Sequence, residues 1–211
     1  MTLTKPSDFK TFEQIIPKSR REHVWFFPIR GSRKTPDCPI GTVLKNNADM
    51  RITRTEVEKR LQWGQNYGIY ALPGGLMFLD LDTDEHGCIK ASKEFREQIP
   101  KTFTVITRSG GLHYYFLNDG LYPNQVIYED KTAIGELRTD WYYIVGVGSY
   151  VDPGQYHIFH EDIITNFSHI EGIRKHGEEE KKSPGSYKEK GKSINKSEYK
   201  QYTHGKRRIK L

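Results

Sequence analysis

The alternation of apolar and polar residues predicts that short strands dominate the middle of the chain. Three pairs of β-type segments are each separated by a short turn. Each pair is predicted to form a hairpin: 66–72 with 76–82, 102–108 with 112–117, and 134–138 with 141–147. A further strand, HVWFFPI, is predicted over 23–29, followed by an irregular loop over 30–41 that is rich in proline, glycine and charge.

Three other segments show helical signals instead: 7–16, 52–64 and 91–99. Ser7 is the expected N-cap of the first helix. Thr53 and Glu56 have the spacing of a capping box at the start of the second helix. Hairpins with a few helices laid on the sheet indicate an α+β fold.

The charge of the chain is unevenly distributed. Residues 174–211 contain 13 Lys/Arg and 5 Asp/Glu, a net charge of +8, whereas the whole chain carries +6, so the remainder carries −2. This basic tail has too few apolar residues to offset the entropy lost on folding, and it is predicted to be disordered in isolation. The predicted organisation is therefore a domain over 1–173 and a tail over 174–211. The tail either binds nucleic acid through phosphate contacts and base stacking or is a solvated linker.

The composition argues against several classes of protein. No run of about 18 apolar residues is present, so no transmembrane helix or membrane partner is predicted. The N-terminal segment lacks the apolar stretch of a signal peptide. Cys38 and Cys88 are far apart and too few for a disulfide framework or a four-thiolate zinc site. The sequence thus predicts a cytoplasmic protein with reduced thiols.

Two carboxylates end the very apolar strand GGLMFLDLD. Asp80 and Asp82 alternate along it and share one face, whereas the leucines beside Asp80 point to the core. Carboxylates about 6–7 Å apart on one strand raise each other's pKa and destabilise the sheet. Mg²⁺ or Mn²⁺ would remove this conflict, because these ions prefer hard oxygen ligands. Asp84 is interpreted as a solvated turn residue.

The segment TRSGGLHYYF carries candidate phosphate-binding groups. The turn Ser109-Gly110-Gly111 can present backbone N–H groups to an anion, as phosphate-binding turns do. His113 shares a strand face with Tyr115 and can donate a hydrogen bond to a phosphate oxygen. The same string is also typical of an ordinary hairpin turn with a half-buried histidine.

The segment GELRTDW offers a third acid and a cation. Glu136 and Arg138 share one strand face, where they suit a metal ligand and a phosphate-binding group. An ordinary cross-strand ion pair would explain the same two residues. Asp140 lies in the following turn, where aspartate is favoured for local backbone hydrogen bonds, so Glu136 is the preferred ligand.

These motifs, in this order, resemble the primase-polymerase (prim-pol) family of the archaeo-eukaryotic primase superfamily, known from archaeal plasmids, viruses and phages. The resemblance extends over most of residues 23–152 and rests on GGLMFLDLD, SGGLHYYF and ELRTDWYYIVGVGS. Weaker similarity lies in FFPIRGSRKTP and LQWGQNYGIYA. The sequence departs from the family pattern before Ser149, where glycines replace the usual prolines, so Ser149 receives no role.

The resemblance implies an RRM-like antiparallel catalytic sheet with flanking helices, beside a smaller N-terminal α/β lobe. It implies template-dependent nucleotidyl transfer, that is, DNA primase and DNA polymerase activity in DNA replication, in a prokaryotic host and from a mobile element. Its partners would be a DNA template and primer, nucleoside triphosphates and a replicative helicase. The implied catalytic and metal-binding residues are Asp80, Asp82 and Glu136. The implied nucleotide-binding residues are Ser109, Gly110, Gly111, His113 and Arg138.

Two other functions stay open at this point. A haloacid dehalogenase-like phosphatase would use Asp80 as nucleophile and Asp82 as acid/base, but it requires a parallel α/β sheet. A replication-initiator module would bind DNA on the same fold without catalysis, and the basic tail is compatible with it.

Overall fold

The computed structural model describes residues 4–31, 34–37 and 50–178. Its helices are α1 (Pro6–Ile15), α2 (Arg54–Gln62) and α3 (Lys93–Glu97), with a 3-10 helix over Lys18–His23. The strands are β1 (Phe26–Ile29), β2 (Asn66–Tyr70), β3 (Leu76–Leu81), β4 (Thr104–Ile106), β5 (Leu112–Leu117), β6 (Gln125–Glu129), β7 (Thr132–Arg138), β8 (Tyr143–Val145), β9 (Tyr150–Val151), β10 (Gly154–Gln155), β11 (His157–His160) and β12 (Thr165–Asn166). None of the described helices has the length and apolar character needed to cross a membrane.

The three predicted helices are present, and local sequence explains where two of them begin. Thr53 forms the predicted capping box with Glu56 at the start of α2. Ser92 caps α3 by accepting a hydrogen bond from the backbone N–H of Phe95. The predicted Ser7 cap is wrong. Helix α1 begins earlier, with Pro6 in its first turn, where the missing N–H of proline costs no hydrogen bond.

Most of the strands form a large sheet, with the order β11-β4-β5-β3-β7-β6 and with β12 joined to β5. All of its pairings are antiparallel except that of β12 with β5. A second sheet has the order β1-β2-β8, and β9 and β10 form a small ribbon. The α+β prediction is confirmed by this mixture of helices with a large antiparallel sheet.

The structure confirms one of the three predicted hairpins and corrects two. Strands β4 and β5 pair across the Ser109-Gly110-Gly111 turn as predicted. The first pair is wrong, because β2 lies between β1 and β8 whereas β3 lies between β5 and β7. The third pair is wrong for the same reason, since β7 pairs with β3 and β6, and β8 pairs with β2. Strand β7 instead forms a hairpin with β6 across the two-residue turn Asp130-Lys131, where both residues have positive φ. Strands β2, β3 and β8 take partners distant in sequence, so a short turn does not decide their pairing.

The predicted strand over 23–29 is shorter than expected. It begins at Phe26, because Lys18–His23 forms the 3-10 helix. The predicted loop over 30–41 lies only partly within the described residues. Cys38 lies outside them, whereas Cys88 is described and is free and exposed.

The large sheet buries apolar side chains on both faces. One face packs against the small sheet and α1, through residues such as Phe78 and Tyr115 of the large sheet and Tyr67 of the small one. The other face packs against α3 and the segment around Ile170. The sheet is therefore held between two apolar layers, and its first face is directed toward the small sheet.

The proposed boundary between domain and tail lies near the end of the described residues. The backbone of Arg174 forms hydrogen bonds with the Gln125 side chain, and the N–H of His176 donates to the carbonyl of Leu121. The first residues assigned to the tail thus contact the domain. The rest of the predicted tail, residues 179–211, lies outside the described residues.

Candidate active site

Three adjacent strands bring three of the predicted site residues into one row. In the antiparallel register, Asp80 of β3 is paired with His113 of β5 on one side and with Glu136 of β7 on the other. Directly paired residues on adjacent strands project from the same face of the sheet. This face is directed toward the small sheet, as the burial of neighbouring Phe78 in the same layer shows. The face assignment made from sequence for Asp80 and His113 is confirmed.

The Asp80 carboxylate is bound on both of its oxygens. Nε2 of His113 lies 3.2 Å from one oxygen, and Nη2 of Arg138 lies 3.0 Å from the other. The same Nη2 atom lies 2.9 Å from the Glu136 carboxylate, and Nη1 of Arg138 donates to the carbonyl of Tyr143 at 3.0 Å. Arg138 therefore links both acids to the first residue of β8 in the small sheet.

The two acids of the DxD motif differ in environment. Burial by itself would raise the pKa of Asp80, but the ion pair and hydrogen bond with His113, followed by the Arg138 charge, hold its pKa at about 2. Burial, and then the neighbouring Asp80 charge, raises the pKa of Asp82. Of the two acids, only Asp82 has the raised pKa that the predicted repulsion between them requires. Asp82 is exposed at the strand end, whereas the Asp80 side chain is only 16% exposed.

A glycine allows β7 to approach β3 closely beside the acids. A Cβ atom at Gly135 would collide with the backbone carbonyl of Asp80. Any larger residue would push the strands apart at the register position next to the Asp80–Glu136 pair. The GE dipeptide of GELR thus positions the third acid.

The Ser109-Gly110-Gly111 turn lies beside the end of β3, next to Leu81 and Thr83. The Ser109 carbonyl accepts a hydrogen bond from the Thr83 hydroxyl at 3.3 Å, one residue beyond Asp82. Gly110 has φ +89°, a conformation that glycine adopts without strain. A Cβ atom at Gly111 would collide with the Leu81 carbonyl. The turn is thereby held against the end of β3.

A cavity opens between the two sheets above Asp80. Its walls are formed by three predicted residues and by others from both sheets: Lys34, Asp80, His113, Arg138, Tyr143, Ile144, Val145 and Tyr156. Lys34 and Tyr156 were not assigned a role from sequence. Lys34 lies in the segment RKTP, which belongs to the weaker similarity to the prim-pol family. No local sequence pattern distinguishes Tyr156.

The remaining predicted residues lie around this cavity rather than in its wall. Asp82, Glu136 and the Ser109-Gly110-Gly111 turn do not line it. Asp140 lies further away: its carboxylate is 3.9 Å from Nε2 of His176, and its backbone contacts the Asn124 side chain. Of the two candidates for the third acid, only Glu136 shares a strand pairing with Asp80.

The donor set is chemically suited to a hard divalent cation. Asp80, Asp82 and Glu136 supply carboxylate oxygens, which Mg²⁺ and Mn²⁺ prefer. Among the described residues, no three acidic, histidine or cysteine side chains are gathered closely enough to form a ready-made metal site. At present the charge of Arg138 balances two of these carboxylates.

A family described as "Bifunctional DNA primase/polymerase, N-terminal" (Prim-Pol) matches residues 18–171, well over half of the 211 residues. The chain belongs to the Prim-Pol family. The match confirms the resemblance and includes all eight predicted site residues. The comparison with curated proteins returns no match.

Membership of the Prim-Pol family and the geometry of β3 both disfavour the phosphatase alternative. A haloacid dehalogenase-like enzyme carries its acids on a strand of a parallel sheet. In this Prim-Pol domain both neighbours of β3 are antiparallel to it.

Proposed function

We propose that the chain is a template-dependent nucleotidyltransferase that acts as a DNA primase and DNA polymerase. The observation that carries this proposal is the row His113–Asp80–Glu136, joined by Arg138, within a Prim-Pol domain. In this proposal the large sheet is the catalytic sheet, of RRM-like type. The segments α1, α2, β1 and β2 form a smaller N-terminal lobe.

The acids would hold Mg²⁺ or Mn²⁺ through Asp80, Asp82 and Glu136. When bound, a divalent cation activates the attacking 3′-hydroxyl and neutralises charge at the leaving pyrophosphate. Asp80 is suited to this role because its low pKa keeps it ionised at any physiological pH. Burial and the neighbouring Asp80 charge raise the pKa of Asp82, and a bound cation would lower it again.

The basic groups would hold the incoming nucleoside triphosphate. His113 and Arg138 now donate to Asp80, and both are donors that suit phosphate oxygens. The Ser109-Gly110-Gly111 turn would add backbone N–H groups beside the end of β3, and the N–H of Gly110 would have to leave the Thr107 carbonyl, to which it now donates at 3.0 Å. The side chains of this site are thus divided into metal ligands and phosphate ligands.

A primer-extension assay tests the proposal. The wild-type chain is incubated with labelled dNTPs or NTPs, a primed or unprimed template, and Mg²⁺ or Mn²⁺. Template-directed incorporation is expected, and its loss in Asp80→Asn is expected to exclude a contaminating polymerase. DNA binding without incorporation under any condition would instead support the replication-initiator function. Hydrolysis of p-nitrophenyl phosphate that depends on Asp80 would support the phosphatase.

A further inference from the structure

Lys34 forms part of the cavity wall opposite Asp80. It follows β1, in the small sheet, whereas Asp80, His113 and Arg138 belong to the large sheet. A ligand that enters this cavity would therefore meet cationic groups on both sides. Lys34 is not among the site residues predicted from the sequence, and it is not one of the proposed metal or phosphate ligands.

The segment that carries Lys34 is fixed at several points. The N–H of Arg30 donates to the Thr35 carbonyl at 3.0 Å, and the N–H of Asp37 donates to the Pro28 carbonyl at 2.9 Å. The Tyr143 hydroxyl, from β8, donates to the carbonyl of Lys34 itself at 3.3 Å. Backbone and side-chain bonds thus hold Lys34 between β1 and β8, at the wall of the cavity.

The Lys34 charge lowers the pKa of Asp80 less than His113 and Arg138 do. Both oxygens of that carboxylate already have partners, His113 and Arg138. Within the described part of the chain, the ammonium group of Lys34 forms no ion pair within 4.0 Å and no hydrogen bond. Desolvation in the cavity lowers its pKa, although the residue as a whole is exposed. A cation that is partly removed from water and unpaired is suited to an anionic ligand.

We propose that Lys34 is a phosphate-positioning residue, which binds the polyphosphate of the incoming nucleotide from the small sheet while Arg138 and His113 bind it from the large sheet. This inference rests on the proposed function and adds a residue to its nucleotide site. The polyphosphate is favoured over a neutral ligand because Lys34, Arg138 and nearby Arg108 all contribute positive charge to the cavity.

Binding of inorganic tripolyphosphate in EDTA tests the inference without catalysis or metal. Calorimetry on the whole chain is expected to give a Kd about tenfold weaker for Lys34→Gln, as expected for loss of one charge-assisted contact. Lys34→Arg is expected to retain most of the affinity. The binding of the wild-type chain is expected to weaken more steeply with salt than that of Lys34→Gln, because one ionic contact is missing in the variant.

Lys101→Gln is the matched control, since Lys101 is exposed, precedes β4 and does not line the cavity. It is expected to bind tripolyphosphate as the wild-type chain does. In primer extension, Lys34→Gln is expected to raise the KM for the nucleotide about tenfold with little change in kcat. Its Tm is expected to match that of the wild-type chain.

The outcomes separate this inference from the proposed function. A wild-type chain that incorporates no nucleotide overturns the polymerase function, whatever tripolyphosphate does. Normal polymerisation together with unchanged Kd and KM in Lys34→Gln overturns only the role of Lys34. Absence of tripolyphosphate binding by the wild-type chain also overturns it, and so does a fall in Tm with unchanged Kd, which would assign Lys34 to folding.

Discussion

Asp80 and Glu136 occupy directly paired positions on β3 and β7, and a single guanidinium nitrogen of Arg138 lies within 3.0 Å of Asp80 and 2.9 Å of Glu136. Like charges at directly paired positions destabilise a sheet unless a cation lies between them. Arg138 has this role in the described structure, and a divalent metal is proposed to share it during catalysis.

Asp80→Asn should lower stability at neutral pH as well as abolish incorporation. The folded-state pKa of Asp80, about 2, lies below the ordinary value of 3.8. Its ion pairs therefore contribute stability that is present above about pH 4 and is lost as the pH falls toward 2. The contribution is about 2 kcal/mol at neutral pH. Urea unfolding in EDTA at pH 7 and at pH 2.5 should show a gap between wild type and variant that narrows in acid. An equal gap at both pH values would contradict this assignment.

Asp82→Asn should abolish incorporation without loss of stability. Burial and the neighbouring Asp80 raise the pKa of Asp82, so its charge is unfavourable in the folded state. A neutral side chain should leave Tm unchanged or slightly higher. Asp84→Asn is the control, because the Asp84 carboxylate has a local structural role. It accepts hydrogen bonds from the backbone N–H groups of His86 and Cys88. This variant should retain activity. Full extension by Asp82→Asn would remove it from the metal site.

Glu136→Gln should lose nearly all polymerase activity, with partial rescue by Mn²⁺. Glu136 is fixed opposite Asp80 by the strand register, as a metal ligand requires. Asp140→Asn should retain most activity, because Asp140 lies in the turn after β7 and is near His176 rather than Asp80. Extension assays in Mg²⁺ and in Mn²⁺ would rank the two variants. The reverse ranking would move the third ligand to the turn.

His113→Ala should raise the KM for the incoming nucleotide. His113 is 4% exposed and contacts the Asp80 carboxylate. The variant should therefore also have a lower Tm, because the substitution leaves an empty space in the packing and removes one partner of Asp80. Kinetics must therefore be measured well below its Tm. His157→Ala, at an exposed position of β11, is the control and should change neither quantity. A folded His113→Ala protein with unchanged KM would limit His113 to a structural role.

Removal of residues 179–211 should reduce DNA affinity and flatten its dependence on salt. The segment is rich in Lys and Arg, and released counterions scale with phosphate contacts. The deletion should start after Glu178, because Arg174 and His176 bond to Gln125 and Leu121. Fluorescence anisotropy at two salt concentrations, together with Tm, measures both effects. An unchanged affinity at low salt would make the tail a linker.

Local features of the fold were predictable from the sequence because they depend on residues close together in the chain. The capping box of α2 follows from Thr53 and Glu56, three residues apart. Asp80 and Leu79 project from opposite faces of β3, and Leu79 packs in an apolar layer, as the two-residue period of a strand predicts. The β4–β5 hairpin follows from its glycine turn. The ordered motifs also identified the Prim-Pol family.

The tertiary structure alone decided which strands pair and which groups meet. Strands β2 and β3 flank a short turn but take partners from distant parts of the chain, because their pairing depends on the burial that each partner provides and not on the nearest turn. That choice puts Glu136 beside Asp80 and brings Lys34 to the cavity wall from another sheet. The low pKa of Asp80 follows from the same contacts, because it depends on His113 and Arg138, which are remote in sequence. The sequence determined which chemical groups the site contains, and long-range packing determined which of these groups are in contact.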